Sequence, residues 1–241
     1  NCRRQCEHYC CGWQDYGNKI IKSYEFFCRK AGKKMLNKKI SIMIAMCAVI
    51  LSACSKQPDF NAKSYVQSSL DAYYHGEYKN YANLLEILEK DAKKEIEEDF
   101  NESIQQQFND SDNITEEEIA AYTEKMAEVK KLAKYKVQDE KKDEDGNYTV
   151  SVKVEPFDVF QTLQQSSAEV SKEKIAQGMK ETDPGVFASV LTESVQKSID
   201  KNSYGDPVTV TVKVEKNHSG TYELSETERS KLETAMFPTT E

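Results

Sequence analysis

Beyond residue 54 the chain has no cysteine and no tryptophan, although the full 241 residues hold seven Cys and one Trp. That absence excludes a disulfide framework and thiol catalysis from everything downstream. Histidine is almost as scarce there, with only His75 and His218. The same stretch lacks a Gly-x-Ser-x-Gly elbow, a His-Glu-x-x-His pair and a phosphate-cradling glycine loop, so familiar hydrolase, zinc-protease and nucleotide-site signatures are missing. The longest apolar run, residues 40–51, is too short for a spanning helix, which needs roughly 20 residues. A basic surplus is missing too. Ten of the 33 Lys and Arg but only three of the 41 Asp and Glu fall in residues 1–53, which leaves 23 against 38 and a charge of −15 on residues 54–241. A surface that binds nucleic acid through its phosphates needs the opposite sign, so no nucleic-acid partner is expected.

The N-terminal quarter carries what the rest lacks. Met35 precedes a short basic segment, Leu36-Asn37-Lys38-Lys39, then the apolar run, then Ser52-Ala53-Cys54. These are the parts of a secretory signal peptide in their usual order. Leu51-Ser52-Ala53-Cys54 resembles the bacterial lipobox at every position. The resemblance implies that signal peptidase recognises Leu51, Ser52 and Ala53 and cuts before Cys54. It also implies a diacylglyceryl group on the Cys54 sulfur and a lipid-anchored protein on the extracytoplasmic face of a bacterial cell membrane. One acyl chain holds a protein only marginally at a bilayer, whereas two or more hold it stably. The competing reading makes residues 40–51 a buried core helix or an uncleaved span and Cys54 an ordinary thiol.

Residues 1–34 begin with Asn and hold five of the seven Cys. Cys2, Cys6, Cys10 and Cys11 with His8 fit no zinc spacing, and no second ligand pair follows. Translation is instead expected to start at Met35, because Ala31-Gly32-Lys33-Lys34 can be encoded with a ribosome-binding stretch. The expected organisation is therefore 1–34 upstream sequence, 35–53 signal peptide, 54–59 lipidated tether and 60–241 one α+β domain.

Helical period dominates the start of that domain. Val66, Leu70, Tyr73 and Tyr74 form one stripe ended by Gly76, and Tyr81, Leu84, Leu85 and Leu88 form a second. Ile96, Phe100, Ile104 and Phe108 recur at every fourth residue. After the polar loop Asn109-Asp110-Ser111-Asp112-Asn113, Thr115 with Glu118 reads as a capping box before Ile119, Tyr122, Met126 and Val129. The period then becomes two: Tyr148, Val150, Val152 and Val154, and later Val208, Val210, Val212 and Val214, alternate with polar residues. Tyr135 with Val137 and Tyr222 with Leu224 add shorter strands, giving two hairpins and a four-stranded antiparallel sheet with one face in water. Between the hairpins, Phe157, Phe160, Leu163 and Val170 read as one helix. A second is expected to open at Asp183-Pro184 and to carry Phe187, Val190, Leu191, Val195 and Ile199. Ser225 with Glu228 caps a last helix. Helices on one face of an antiparallel sheet make an α+β fold.

The segment Gly76-Glu77-Tyr78-Lys79-Asn80-Tyr81-Ala82-Asn83-Leu84-Leu85, followed by strands, resembles the opening of cystatin-like and NTF2-like domains of Gram-positive lipoproteins. In those a helix, a Gly-acidic-Tyr turn and a second helix precede a curved antiparallel sheet. The helical stretch at 157–203 departs from their simplest form.

Candidate chemistry is sparse. Asp143-Glu144-Asp145-Gly146-Asn147 alternates acids like a calcium loop, but the sixth and twelfth positions that need Gly and Glu are Tyr148 and Val154, so it reads as a hairpin turn. His75 and His218 fall at a helix end and in a tight connection. Tyr65, Tyr73, Tyr74, Tyr78 and Tyr81 crowd one segment, and Tyr joins an apolar face to a polar tip at many contacts. No catalytic residue, metal or cofactor is expected. The expected function is a non-enzymatic envelope module, monomeric, held to the membrane through Cys54 and binding an envelope protein, a peptide or a glycan. Two rivals stand beside it: a solute-binding lipoprotein of a transporter, which needs two α/β lobes, and an NTF2-like enzyme with a Tyr and carboxylate pocket.

Overall fold

A computed structural model describes residues 60–108, 114–180, 182–201, 203–217 and 220–239. The signal peptide, Leu51, Ser52, Ala53, Cys54 and His218 lie outside the described residues. Helix α1 (Ala62–Leu70) starts at Asn61, whose side chain accepts from Ser64 N, and runs on as a π turn over Asp71–His75. Gly76 ends it in the left-handed region at φ 73, as its place after the apolar stripe requires. Then come α2 (Tyr78–Leu85), α3 (Glu89–Phe108) and α4 (Glu116–Lys131), followed by β1 (Lys134–Lys142) and β2 (Tyr148–Glu155). The α3 stripe is buried at every expected position, and Thr115 and Glu118 form both halves of the capping box that opens α4.

After β2, helices α5 (Leu163–Ala176) and α6 (Val186–Lys201) form a hairpin before β3 (Val208–Lys216), β4 (Tyr222–Leu224) and α7 (Glu226–Met236). The four strands lie in chain order, β1-β2-β3-β4, all antiparallel. The helical hairpin is thus a long detour between neighbouring strands. On the inner face Val150, Val152, Val154, Val212 and Val214 are wholly buried. Helix α1 packs on β1 and β2, and α7 on β2 and β3, so helices cover that one face.

Several boundaries differ from the sequence reading, each for a local reason. Strand β1 outlasts Tyr135 and Val137 because a bulge between Val137 and Glu140 turns Glu140 to the inner side. There its carboxylate accepts from Lys63 N at 2.5 Å, an anion at the start of α1. Phe157 is not helical: it bridges to Tyr204 and donates its N–H to Met236 O at 2.8 Å, which prolongs the sheet before α5 begins. Helix α6 opens at Val186 because Gly185, at φ 79, interrupts any helix running from Pro184, and Asp183 Oδ2 caps Lys180 N instead. The last capping box is half made. Ser225 accepts from Glu228 N, but the Glu228 carboxylate turns to Lys213 N at 3.0 Å, satisfying an edge donor of β3 where short β4 has already ended.

Gly76→Ala should destabilise the fold by about 1–2 kcal/mol, since the Tyr78 ring leaves room for a Cβ at 3.7 Å and the cost is the left-handed backbone alone. A urea midpoint unchanged from the parent would contradict this.

Candidate functional site

Two strongly perturbed charges, Lys130 and Glu233, meet where α4, α7 and the π turn converge on the core. Lys130 Nζ lies 3.7 Å from the ring centroid of Tyr73 and 4.0 Å from that of Phe100, a cation held between two aromatic faces. Burial lowers its pKa to about 8 against the pull of the Glu233 and Glu97 carboxylates. Glu233, on α7, is pushed up to about 7 by burial, with Lys130 and Arg229 working against the rise. By surface area Glu233 keeps partial solvent access, so its desolvation is less than complete. Burial, and then the Glu233 charge, also raise the pKa of both Tyr73 and Tyr74. The period of α4 hinted at this arrangement, because Lys130 occupies a place that continues the stripe of Tyr122 and Met126. Glu233 stands one turn before buried Met236 on α7, on the same side of that helix.

Phe100 also belongs to a half-open groove of about 760 Å³ between α3 and α4. Phe100, Phe108, Ile119 and Ala127 supply its apolar surface. Every charged side chain that lines it is acidic: Glu97, Glu116 and Glu124. The groove therefore suits a ligand with an apolar body and cationic or hydrogen-bond-donating edges.

A second polar network ties α1 to β1. Tyr135 Oη donates to Asp71 Oδ1 at 2.8 Å, and Gln67 Nε2 donates to the same oxygen at 2.8 Å. Gln67 Oε1 accepts from Val137 N at 3.3 Å. His75 stacks on Tyr135, with Nε2 3.0 Å from Ala133 O and Nδ1 3.3 Å from Tyr135 Oη. Because a carbonyl only accepts, Nε2 carries a proton, and the ring is spent on holding the end of α1 against β1. Burial and the Asp71 hydrogen bond raise the Tyr135 pKa far above that of a free phenol.

The tyrosines that crowd the sequence form no single cluster, although Tyr73 and Tyr74 meet edge to face at 4.9 Å. Tyr74 is core, Tyr65 packs on Phe60, Tyr73 faces Lys130, and Tyr78 Oη lies 3.4 Å from Glu97. Asp143 to Asn147 is the hairpin turn expected, with Asp143 Oδ1 accepting from Asn147 N. Among the described residues no cluster of His, Cys, Asp and Glu is arranged to hold a metal. Sequence reasoning also missed the seam between α5 and α6. Ser166, Ser167, Ser171, Ser194 and Ser198 are buried there, and Ser198 Oγ donates to Ser166 Oγ at 2.9 Å. Lys197 bridges Glu169 and Glu173 at 3.1 and 2.7 Å along its rim, and hydrogen bonds from Lys201 and Lys197 hold Glu169 down at about 2.

No protein-family model matches the chain, and no curated protein resembles it in sequence closely enough to count as a relative. Its α+β architecture is shared with a crystal structure from Bacillus subtilis at a TM-score of 0.51 and 13% identity. That structure is of the ycdA protein, assigned as a lipoprotein; the match covers 74% of this chain and 56% of that one. The chain thus spans little more than half the length of the protein it resembles.

The buried pair fixes a pH dependence. A carboxyl that holds its proton more tightly when folded makes stability fall as pH rises from its unfolded value near 4.5 to about 7, because ionisation is then costlier in the native state. Lys130 acts in the other direction, with stability recovering between about 8 and 10.5. Glu233→Gln should therefore match the parent at pH 4 and exceed its stability by about 1–2 kcal/mol at pH 7.5, a figure reduced for the partial exposure of the carboxylate. Denaturant titrations at the two pH values measure the gap, and a gap of the opposite sign would refute the assignment.

Proposed function

We propose that this protein is a lipid-anchored module of the cell envelope, on the extracytoplasmic face of the membrane, that binds a partner or ligand and catalyses no reaction. The observation that carries the reading is a spacing: the lipobox cysteine, Cys54, stands six residues before Phe60, whose ring packs into the fold against Tyr65, Tyr148 and Tyr222. A tether of that length suits a domain held close to a bilayer by lipid. The reading is supported by the fold shared with the ycdA protein, itself assigned as a lipoprotein. It is also supported by the described residues having no helix long and apolar enough to cross a membrane.

Binding is favoured over transport because the described residues form one four-stranded sheet, whereas solute receptors close two lobes around their cargo. The groove between α3 and α4 is a concave surface available to a ligand, and its acidic lining favours a basic or donor-rich one such as a peptide or an amino sugar. The enzymatic alternative, a Tyr and carboxylate pocket of NTF2-like type, has one observation in its favour: Glu233 and Lys130 titrate near neutrality beside Tyr73. Against it, neither Glu233 nor Lys130 lines the groove, and the Lys130 ammonium is already taken up by two aromatic faces.

Cys54→Ala should abolish incorporation of radiolabelled fatty acid and move the protein from the membrane pellet to the soluble fraction. Retention of both properties in the variant would sink the lipid-anchor reading.

A further inference from the structure

The face of the sheet that no helix covers carries five lysines, Lys134, Lys136, Lys141, Lys153 and Lys213, against three glutamates, Glu155 beside Lys134 and Glu215 opposite Glu223 at the β4 edge, a surplus opposite in sign to the charge of the molecule. Lys141, Thr149 and Lys213 lie side by side across β1, β2 and β3, and Lys136, Lys153 and Thr209 form a parallel row four residues further along β2. Ser151 and Thr211 pair between the two rows. All four lysines of these rows are exposed, and among the described residues none has an ion-pair partner within 4.0 Å. Lys134 and Glu155, at the far end of the same face, do pair, at 4.0 Å. Lys136 and Lys153 sit directly opposite each other across two strands, a like-charge arrangement that costs stability in isolation. A stretch of sequence at −15 has enough carboxylates to neutralise them, yet four lysines and four hydroxyls share this patch.

We propose that this open face is a docking surface for the anionic phospholipid headgroups of the membrane that carries the tether. The proposal rests on the lipid-anchor reading. Residues 55–59 span at most about 17 Å when fully extended, so Phe60 is confined to that distance from the headgroups. A sheet and the layer packed on it are about 10 Å apart, so the tether is long enough for the domain to lie with its open face on the bilayer. Lysines meet phosphodiester oxygens there, and Thr149, Ser151, Thr209 and Thr211 donate to the same oxygens. Each lysine near an anionic leaflet favours contact by about fivefold. The acidic groove on the helical side is then turned outward to its ligand.

The test is lysine footprinting on the full lipidated protein in vesicles of phosphatidylcholine, with and without phosphatidylglycerol. Acylation of Lys136, Lys141, Lys153 and Lys213 should slow about fivefold or more in the anionic vesicles, while Lys90 on α3 reacts equally in both. Added salt should abolish the difference. Lys136→Glu with Lys153→Glu should erase the protection of Lys141 and Lys213, and Lys90→Glu should leave it intact. If the double variant misfolds by circular dichroism, Lys153→Gln alone should reduce the protection. Equal acylation in both vesicles would overturn the docking surface. Protection by soluble polyphosphate but not by anionic lipid would also overturn it, and would assign the face to a polymer. Flotation with the vesicles is read separately, so failure of the anchor is told apart from failure of the face: a protein that floats with neither vesicle has no lipid anchor and no docking of this kind.

Discussion

The alternation of valine with polar residues along β2 and β3 constrains everything else in this fold. Val150, Val152 and Val154 are wholly buried on one side, so Thr149, Ser151 and Lys153 are committed to the other. A slip of one residue in the pairing would bury lysines and expose valines, which fixes the register. With one face apolar, α1 and α7 pack on that face, and the chain between β2 and β3 must leave and return without crossing the wet side. The detour of α5 and α6 therefore finds its support on α4 rather than on the bare face of the sheet.

Where a residue's environment depends on its own period the sequence guides well, though Leu84, Leu88 and Val208 lie on apolar stripes and are nonetheless exposed. The four-residue repeat of α3, the caps of α1 and α4, the left-handed Gly76 and the two long strands all follow from local pattern. Where a polar side chain acts on a distant segment, pattern is silent. Glu228 reads as the reciprocal half of a cap at Ser225, and a bond to β3 outcompetes that role because a buried edge N–H would otherwise go unpaired. The alternation that marks β1 stops at Val137, yet a bulge lets the strand continue through Gln138-Asp139-Glu140 and delivers Glu140 to the start of α1. The serines of α5 and α6 look like surface residues until the two helices are paired, when their small size lets the backbones approach.

The candidate site was legible in part for the same reason. The groove lies between helices whose apolar stripes are plain in the sequence, but its width depends on how α3 and α4 diverge, which no repeat encodes. Lys130 and Glu233 each occupy a place where an apolar residue would continue the pattern. Burying two opposite charges without a direct hydrogen bond costs desolvation that their attraction does not fully return, which is why both pKa values move toward neutrality. The aromatic faces of Tyr73 and Phe100 offset part of that cost for the lysine.

Net charge alone would have this domain repelled by an anionic surface, and the segregation of charge between its layers reverses that conclusion. At physiological ionic strength electrostatic influence decays over about 8 Å, less than the separation of a sheet from the helices packed on it. A surface approaching the open face meets Lys136, Lys141, Lys153 and Lys213, with Glu215 and Glu223 only at its β4 edge, while the carboxylates of α3 and α4 are largely screened from it. An approach from the helical side meets Glu97, Glu116 and Glu124 first and is opposed. One-sided burial of valine thus does more than build the core: by leaving one face of the sheet bare, it gives the domain two sides of opposite sign, the difference on which the proposed docking to a bilayer rests.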